Sequence, residues 1–117
     1  ADDGDGSLIS VAIDGNGVGT PTVIVSGLDL GSPAGVSTTL DGTQALVSGI
    51  DRDNDASVVY VVQLDATHAV SVTSSGLAGN NESGGLHRAQ TTDTFAWCGT
   101  SVGDDGTSEG HVYRITF

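Results

Sequence analysis

The chain has 117 residues, which is enough for one domain with a single modest core. Its 15 acidic residues far outnumber its 3 arginines, and it has no lysine, so the formal net charge is −12. This charge disfavours nucleic acid and anionic membrane surfaces as partners, and no apolar run approaches the roughly 18 residues of a membrane span.

Short apolar runs separated by Gly, Asp, Asn or Ser fill the chain and predict strands and turns rather than helices. The predicted strands are, in chain order, 8–13, 22–26, 35–40, 44–50, 58–64, 69–73, 86–90, 95–99 and 112–117. Between the third and fourth runs, Asp41-Gly42 is typical of a tight hairpin turn, because both residues tolerate positive φ. The sequence therefore predicts an all-β fold, built as a propeller, a sandwich or a barrel.

An internal repeat of about 50 residues runs through these strands. Corresponding segments recur in the same order: Ser26-Gly27-Leu28 with Ser75-Gly76-Leu77, Pro33-Ala34-Gly35-Val36 with Ser83-Gly84-Gly85-Leu86, Gln44-Ala45-Leu46-Val47 with Thr94-Phe95-Ala96-Trp97, and Tyr60 with Tyr113. Small changes of spacing between the pairs are what loops of variable length produce around a fixed four-strand unit.

Several motifs in the repeat follow one known pattern: a glycine-leucine lead, a small-residue strand, a DGT hairpin and two apolar strands. They are Gly27-Leu28, Pro33-Ala34-Gly35-Val36, Asp41-Gly42-Thr43, Ala45-Leu46-Val47 and 59–64. On these motifs the chain resembles β-propellers with NHL-type and YVTN-type repeats. The resemblance covers nearly the whole chain and implies four-stranded blades without catalytic residues.

We name the four strands of a blade a to d, from the innermost outward. The nine predicted strands then correspond, in chain order, to c-d of one blade, a-b-c-d of the next and a-b-c of the last. We expect one all-β unit over residues 1–117, made of a partial blade at 1–30, a full blade at 31–76 and a partial blade at 77–117. The alternative is that all the strands close into one sandwich or barrel. Because blades bury their faces against neighbouring blades, two and a quarter blades predict self-association or a partner chain that completes the propeller.

Acidic clusters precede three successive predicted c strands, at 2–5, 51–55 and 104–109. Asp51, Asp53 and Asp55 are spaced two apart, as are the first three ligands of many calcium loops. Ala56 stands where such a loop has glycine, and Val62 where it has glutamate. Two interpretations remain open: a Ca²⁺ site at these three aspartates, or solvated loop tips that keep β edges from aggregating.

Three further residues are candidates for ligand binding. His87 and Arg88 lie at the start of a predicted strand of type a, and in a propeller this innermost strand lines the central channel. Trp97 takes the repeat position of Val47, where a larger ring packs in the core or offers a flat face to a sugar. Cys98 is predicted to be a buried, unreactive thiol, because its neighbours Phe95 and Ala96 are apolar.

The sequence predicts no catalytic residues, since it has neither a nucleophile elbow nor a phosphate-binding loop. The function that it favours is a non-catalytic module that acts by assembly and by binding a ligand or cation. The alternatives are a piece of a larger propeller enzyme and a structural subunit that polymerises through open β edges. The lack of lysine, and 13 Asp against 2 Glu, indicate an extracellular or cell-envelope setting.

Overall fold

The computed structural model describes residues 6–30, 34–51, 53, 56–78, 82–102 and 105–116. All regular elements in these ranges are β-strands, which confirms the predicted all-β class, and no helix there is able to cross a membrane. The strands are β1 (Gly6–Ser10), β2 (Ile13–Asp14), β3 (Gly17–Val18), β4 (Thr22–Leu28), β5 (Val36–Thr38), β6 (Gln44–Asp51), β7 (Ala56–Gln63), β8 (Val70–Ala78), β9 (Glu82–Arg88), β10 (Thr94–Val102) and β11 (Ser108–Thr116).

All sheets are antiparallel and follow the chain order. β1 pairs with β4, and the two-residue strands β2 and β3 pair with each other between them. β5 to β8 form a four-stranded meander, and β9 to β11 form a three-stranded one. None of these sheets closes on itself within the described residues, so the alternative of a single barrel is not what forms.

The four-stranded sheet lies in the middle, and its two central strands, β6 and β7, are buried on both faces. One face packs on the β1–β4 hairpin, in a cluster of Leu28, Ala45, Val47, Val58, Tyr60 and Val62. The other face packs on the three-stranded sheet, in a cluster of Leu46, Val59, Leu86, Phe95 and Trp97. Burial on both sides explains why β6 and β7 carry continuous apolar runs instead of the alternation of a half-exposed strand.

The contact between the middle and three-stranded sheets is close where β5 begins. A Cβ on Gly35 would come within 2.8 Å of the backbone nitrogen of Leu86, so only glycine fits here without movement. The buried Ser48 hydroxyl accepts a hydrogen bond of 2.7 Å from the Gly35 amide, which satisfies both groups away from water. The two sheets are thus held at short range by backbone as well as by side chains.

The two outermost faces of the stack remain open. Ile9 and Val23, paired on the hairpin, are 50% and 56% exposed, and Val112 on β11 is 73% exposed. Cys98, paired with Val112, is also exposed, so its predicted burial is wrong. The cause is strand alternation: Trp97 points into the cluster with the middle sheet, and Cys98 therefore points to the side that no described sheet covers.

We predict that Trp97→Ala lowers the free energy of unfolding by about 3–5 kcal/mol, because it removes the largest fully buried side chain. Val18→Ala, at a 75% exposed valine of β3, is the control and should change stability by about 0.5 kcal/mol or less. Urea denaturation followed by circular dichroism measures both. Equal losses for the two variants would contradict the arrangement of the sheets.

Candidate functional site

Arg88 and the turn that follows it connect the two larger sheets at one end. The Arg88 Nε donates a hydrogen bond of 2.7 Å to the Thr38 carbonyl oxygen, and its Nη1 donates one of 2.8 Å to the Ala89 carbonyl oxygen. A second hydrogen bond has its donor on the middle-sheet side: the Leu40 amide, in the turn after β5, donates to Asp93 Oδ1 at 2.8 Å. Arg88 was predicted to bind a ligand, and the structure gives its guanidinium a role between the sheets.

A shallow pocket of about 410 Å³ opens on the outer face of the three-stranded sheet. His87, Ala96 and Arg114 are directly opposite one another across β9, β10 and β11, and Arg88 and Val112 also line the pocket. No acidic residue is among the described residues that line it. The structure therefore places His87 beside Arg114 on the outer face, whereas Arg88, the next residue of β9, directs its guanidinium to the middle sheet.

Sequence reasoning missed Arg114, although a partial signal exists. Val112 and Arg114 alternate with Tyr113 and Ile115, which indicates one face for the first pair and the other face for the second. Which residue of β10 and β9 each would meet depends on the strand register, and that register cannot be read from the alternation alone.

Trp97 lies on the other face of the same sheet and is 1% exposed. Its ring packs against Tyr113, with the ring centroids 6.1 Å apart and the planes at 52°. Its indole Nε1 has no hydrogen-bond partner in the described part of the chain. Trp97 is thus not brought together with His87 and Arg88, and its proposed contact with a ligand stays a prediction.

The predicted calcium residues end β6 and begin the following loop. The Asp53 amide donates a hydrogen bond of 3.0 Å to Asp51 Oδ1, and both residues line a pocket of about 350 Å³ together with Asp29 and Tyr60. Asp55 lies outside the described residues. Within those residues, no group of three or more His, Cys, Asp or Glu side chains is arranged to hold a metal ion. The calcium site stays a prediction.

Aspartate has a clear structural use elsewhere, in an Asp-x-Thr turn that occurs three times. In each turn an aspartate Oδ1 accepts hydrogen bonds from the amide and the hydroxyl of the threonine two residues on, in the pairs Asp41–Thr43, Asp65–Thr67 and Asp105–Thr107. Such turns let a carboxylate replace a backbone acceptor where strands reverse.

These hydrogen bonds stabilise the ionised carboxylates and lower the pKa of all three aspartates below the ordinary value of 3.8. The largest cause is a threonine hydroxyl in each case, from Thr39 for Asp41 and from the threonine of the turn for Asp65 and Asp105. Part of the acidic charge therefore stabilises the turns between strands.

Comparison with protein-family models, curated proteins and solved structures found no match to this chain. The resemblance to propeller repeats therefore rests on the sequence motifs.

We predict that acid weakens the fold through the Asp-x-Thr turns. A carboxyl with a lowered pKa stabilises the folded chain above its unfolded value, and this stabilisation is lost as the pH falls through the folded value, from about pH 4 downward. The triple variant Asp41→Asn, Asp65→Asn, Asp105→Asn should lose less stability than the wild type over this range, because each amide oxygen still accepts but no longer titrates.

Urea denaturation followed by the fluorescence of the single tryptophan, at a series of pH values, measures this difference. Asp53→Asn is the control, since it removes an exposed carboxylate without removing an Asp-x-Thr turn. Parallel pH profiles for the wild type and the triple variant would contradict the prediction.

Proposed function

We propose that this chain is a non-catalytic, propeller-like module that acts by assembly. Its open sheet faces and strand edges pack against further sheets, which come from a second copy or from a partner chain that completes the ring. The extracellular or cell-envelope setting indicated by the composition is part of the proposal.

The order and packing of the sheets support the propeller-like part of this proposal. Meanders of four and three strands follow a two-stranded hairpin and stack face to face, and the first strands of the two meanders, β5 and β9, contact each other. Neighbouring blades of a propeller are related in the same way. The turns after β5 and β9 also match: the Thr39 amide donates to the Gln44 carbonyl, and 50 residues later the Ala89 amide donates to the Thr94 carbonyl.

The exposure of Val36 also supports the proposal that the first blade is incomplete. In the repeat, Val36 of β5 corresponds to Leu86 of β9. Each lies in the first strand of its sheet, on the face that is turned toward the preceding sheet in the chain. Leu86 is 3% exposed, whereas Val36 is 55% exposed. A complete preceding blade would supply inner strands against Val36, but the hairpin supplies two strands, and these cover β6 and β7.

The observation that supports the proposed assembly is the difference in solvent exposure between apolar side chains on the inner and on the outer faces of the stack. The central strands β6 and β7 are covered on both sides, while Ile9, Val23 and Val112 are at least half exposed on the two outer sides. Apolar faces and unpaired edges of β-sheets are usually covered in native proteins. A contact between the two different outer faces is head-to-tail, so repeated contacts close into a ring or grow without limit.

We predict that the isolated chain forms a discrete closed oligomer at micromolar concentrations, because that arrangement covers both outer faces. Size-exclusion chromatography with light scattering measures its mass. A stable monomer with cooperative thermal unfolding would contradict the proposal. An unstable, aggregating chain would favour a piece of a larger propeller enzyme, and open-ended growth would favour a structural polymer.

Calcium binding is the second part of the proposal, and the observation that favours it is the pocket that Asp29, Asp51 and Asp53 line. We predict that millimolar Ca²⁺ raises the melting temperature, because a divalent cation relieves the repulsion among the carboxylates of Asp51, Asp53 and Asp55 and stabilises only the folded chain. Mg²⁺ should act less, since it gives up its water ligands reluctantly. The Asp53→Asn variant should lose most of the effect.

Thermal melts in Ca²⁺, in Mg²⁺, in EDTA and in NaCl of equal ionic strength separate binding from screening of the −12 charge. If Ca²⁺ and the matched NaCl raise the melting temperature equally, the chain has no calcium site.

A further inference from the structure

We infer that the outer face of β9, β10 and β11 is the docking surface for a second copy of this chain, and that Arg114 and His87 bind carboxylates of that copy. This inference rests on the proposed assembly and names the occupant of one of its open faces. We call this surface the basic face and define it by His87, Ala96, Cys98, Val112 and Arg114.

The basic face has the opposite charge to the chain as a whole. The protein has 3 arginines and 3 histidines against 15 acidic residues, yet Arg114 and His87 lie together on this face and line its pocket. No described acidic residue shares the lining. In a chain with a net charge of −12, such a patch is complementary to most of the remaining surface, and therefore to another copy.

The pocket has a geometry that suits a carboxylate. His87 and Arg114 are on the two edge strands, with Ala96 directly between them on β10. Neighbouring strands are about 4.8 Å apart, so the two basic residues start about 10 Å apart across a small methyl group. Both side chains are on exposed residues, and neither has an ion pair within the described residues. A guanidinium binds a carboxylate through two parallel hydrogen bonds, and an imidazole N–H adds a third donor.

The internal repeat favours a sheet-sized occupant over a small acid. On the middle sheet the residues that correspond to Ala96 and Val112 are Leu46 and Val59, which are 0% and 4% exposed because the next sheet covers them. Val112 on the basic face is 73% exposed. A small carboxylic acid bound between His87 and Arg114 would cover only the pocket side of Val112, whereas a second copy covers the whole side chain.

The test measures the dissociation constant of the assembly by sedimentation equilibrium at about 0.15 M NaCl, where charges further apart than about 8 Å are largely screened. Arg114→Glu should weaken assembly by about tenfold or more, because it places two carboxylates in contact at the interface. Arg114→Gln, which removes the charge without reversing it, should weaken assembly less.

The matched control is the double variant Ala66→Glu, Ala69→Glu, which makes the same change of net charge on the exposed turn between β7 and β8. It should change the dissociation constant by less than about threefold, since neither residue belongs to the basic face or lines its pocket. Circular dichroism verifies that each variant folds, and Arg114→Gln provides the answer if Arg114→Glu does not fold.

If Arg114→Glu and the control assemble equally well, the basic face is not the docking surface, while the proposed assembly stands. If the wild type does not assemble at any concentration, the proposed function and this inference both fail. If the wild type stays monomeric but binds a short poly-aspartate peptide through Arg114, the occupant is an acidic peptide and the second copy is excluded.

Discussion

The fold depends on the burial of β6 and β7, the two central strands of the four-stranded sheet, on both of their faces. β6 and β7 present apolar side chains in both directions, so a single covering layer would leave half of them in water. The hairpin of β1 and β4 and the three-stranded sheet must therefore lie on opposite sides. A stack built in this way has two outer faces that its own strands do not cover, and these faces give the molecule its proposed role.

The charge of the chain is compatible with close packing because the described carboxylates lie at turns and strand ends. Asp41, Asp65 and Asp105 accept hydrogen bonds within their turns, and Asp93 accepts one from the neighbouring sheet. These contacts satisfy backbone amides that would otherwise need water. The apolar surface between the turns stays free of acidic groups, so sheet faces can meet even in a strongly acidic protein.

The strand class and most strand positions follow from the sequence, because alternating and continuous apolar runs have direct physical causes in sheets. The two-residue strands β2 and β3 carry too little pattern to be recognised. Cys98 was misjudged because apolar neighbours indicate a strand without indicating which of its faces will be covered. Arg114 was missed for a related reason, since its place beside Ala96 and His87 depends on strand register.

Hydrogen exchange at two protein concentrations tests the central claim, that the middle sheet is a self-sufficient core and the outer sheets require an external partner. At low concentration, amides of β6 and β7 should be protected most, and those of β1 and β11 least. At high concentration, protection should rise in β1 and β11 and stay unchanged in β6 and β7. Protection that is equal in all sheets, or that does not depend on concentration, would contradict this account.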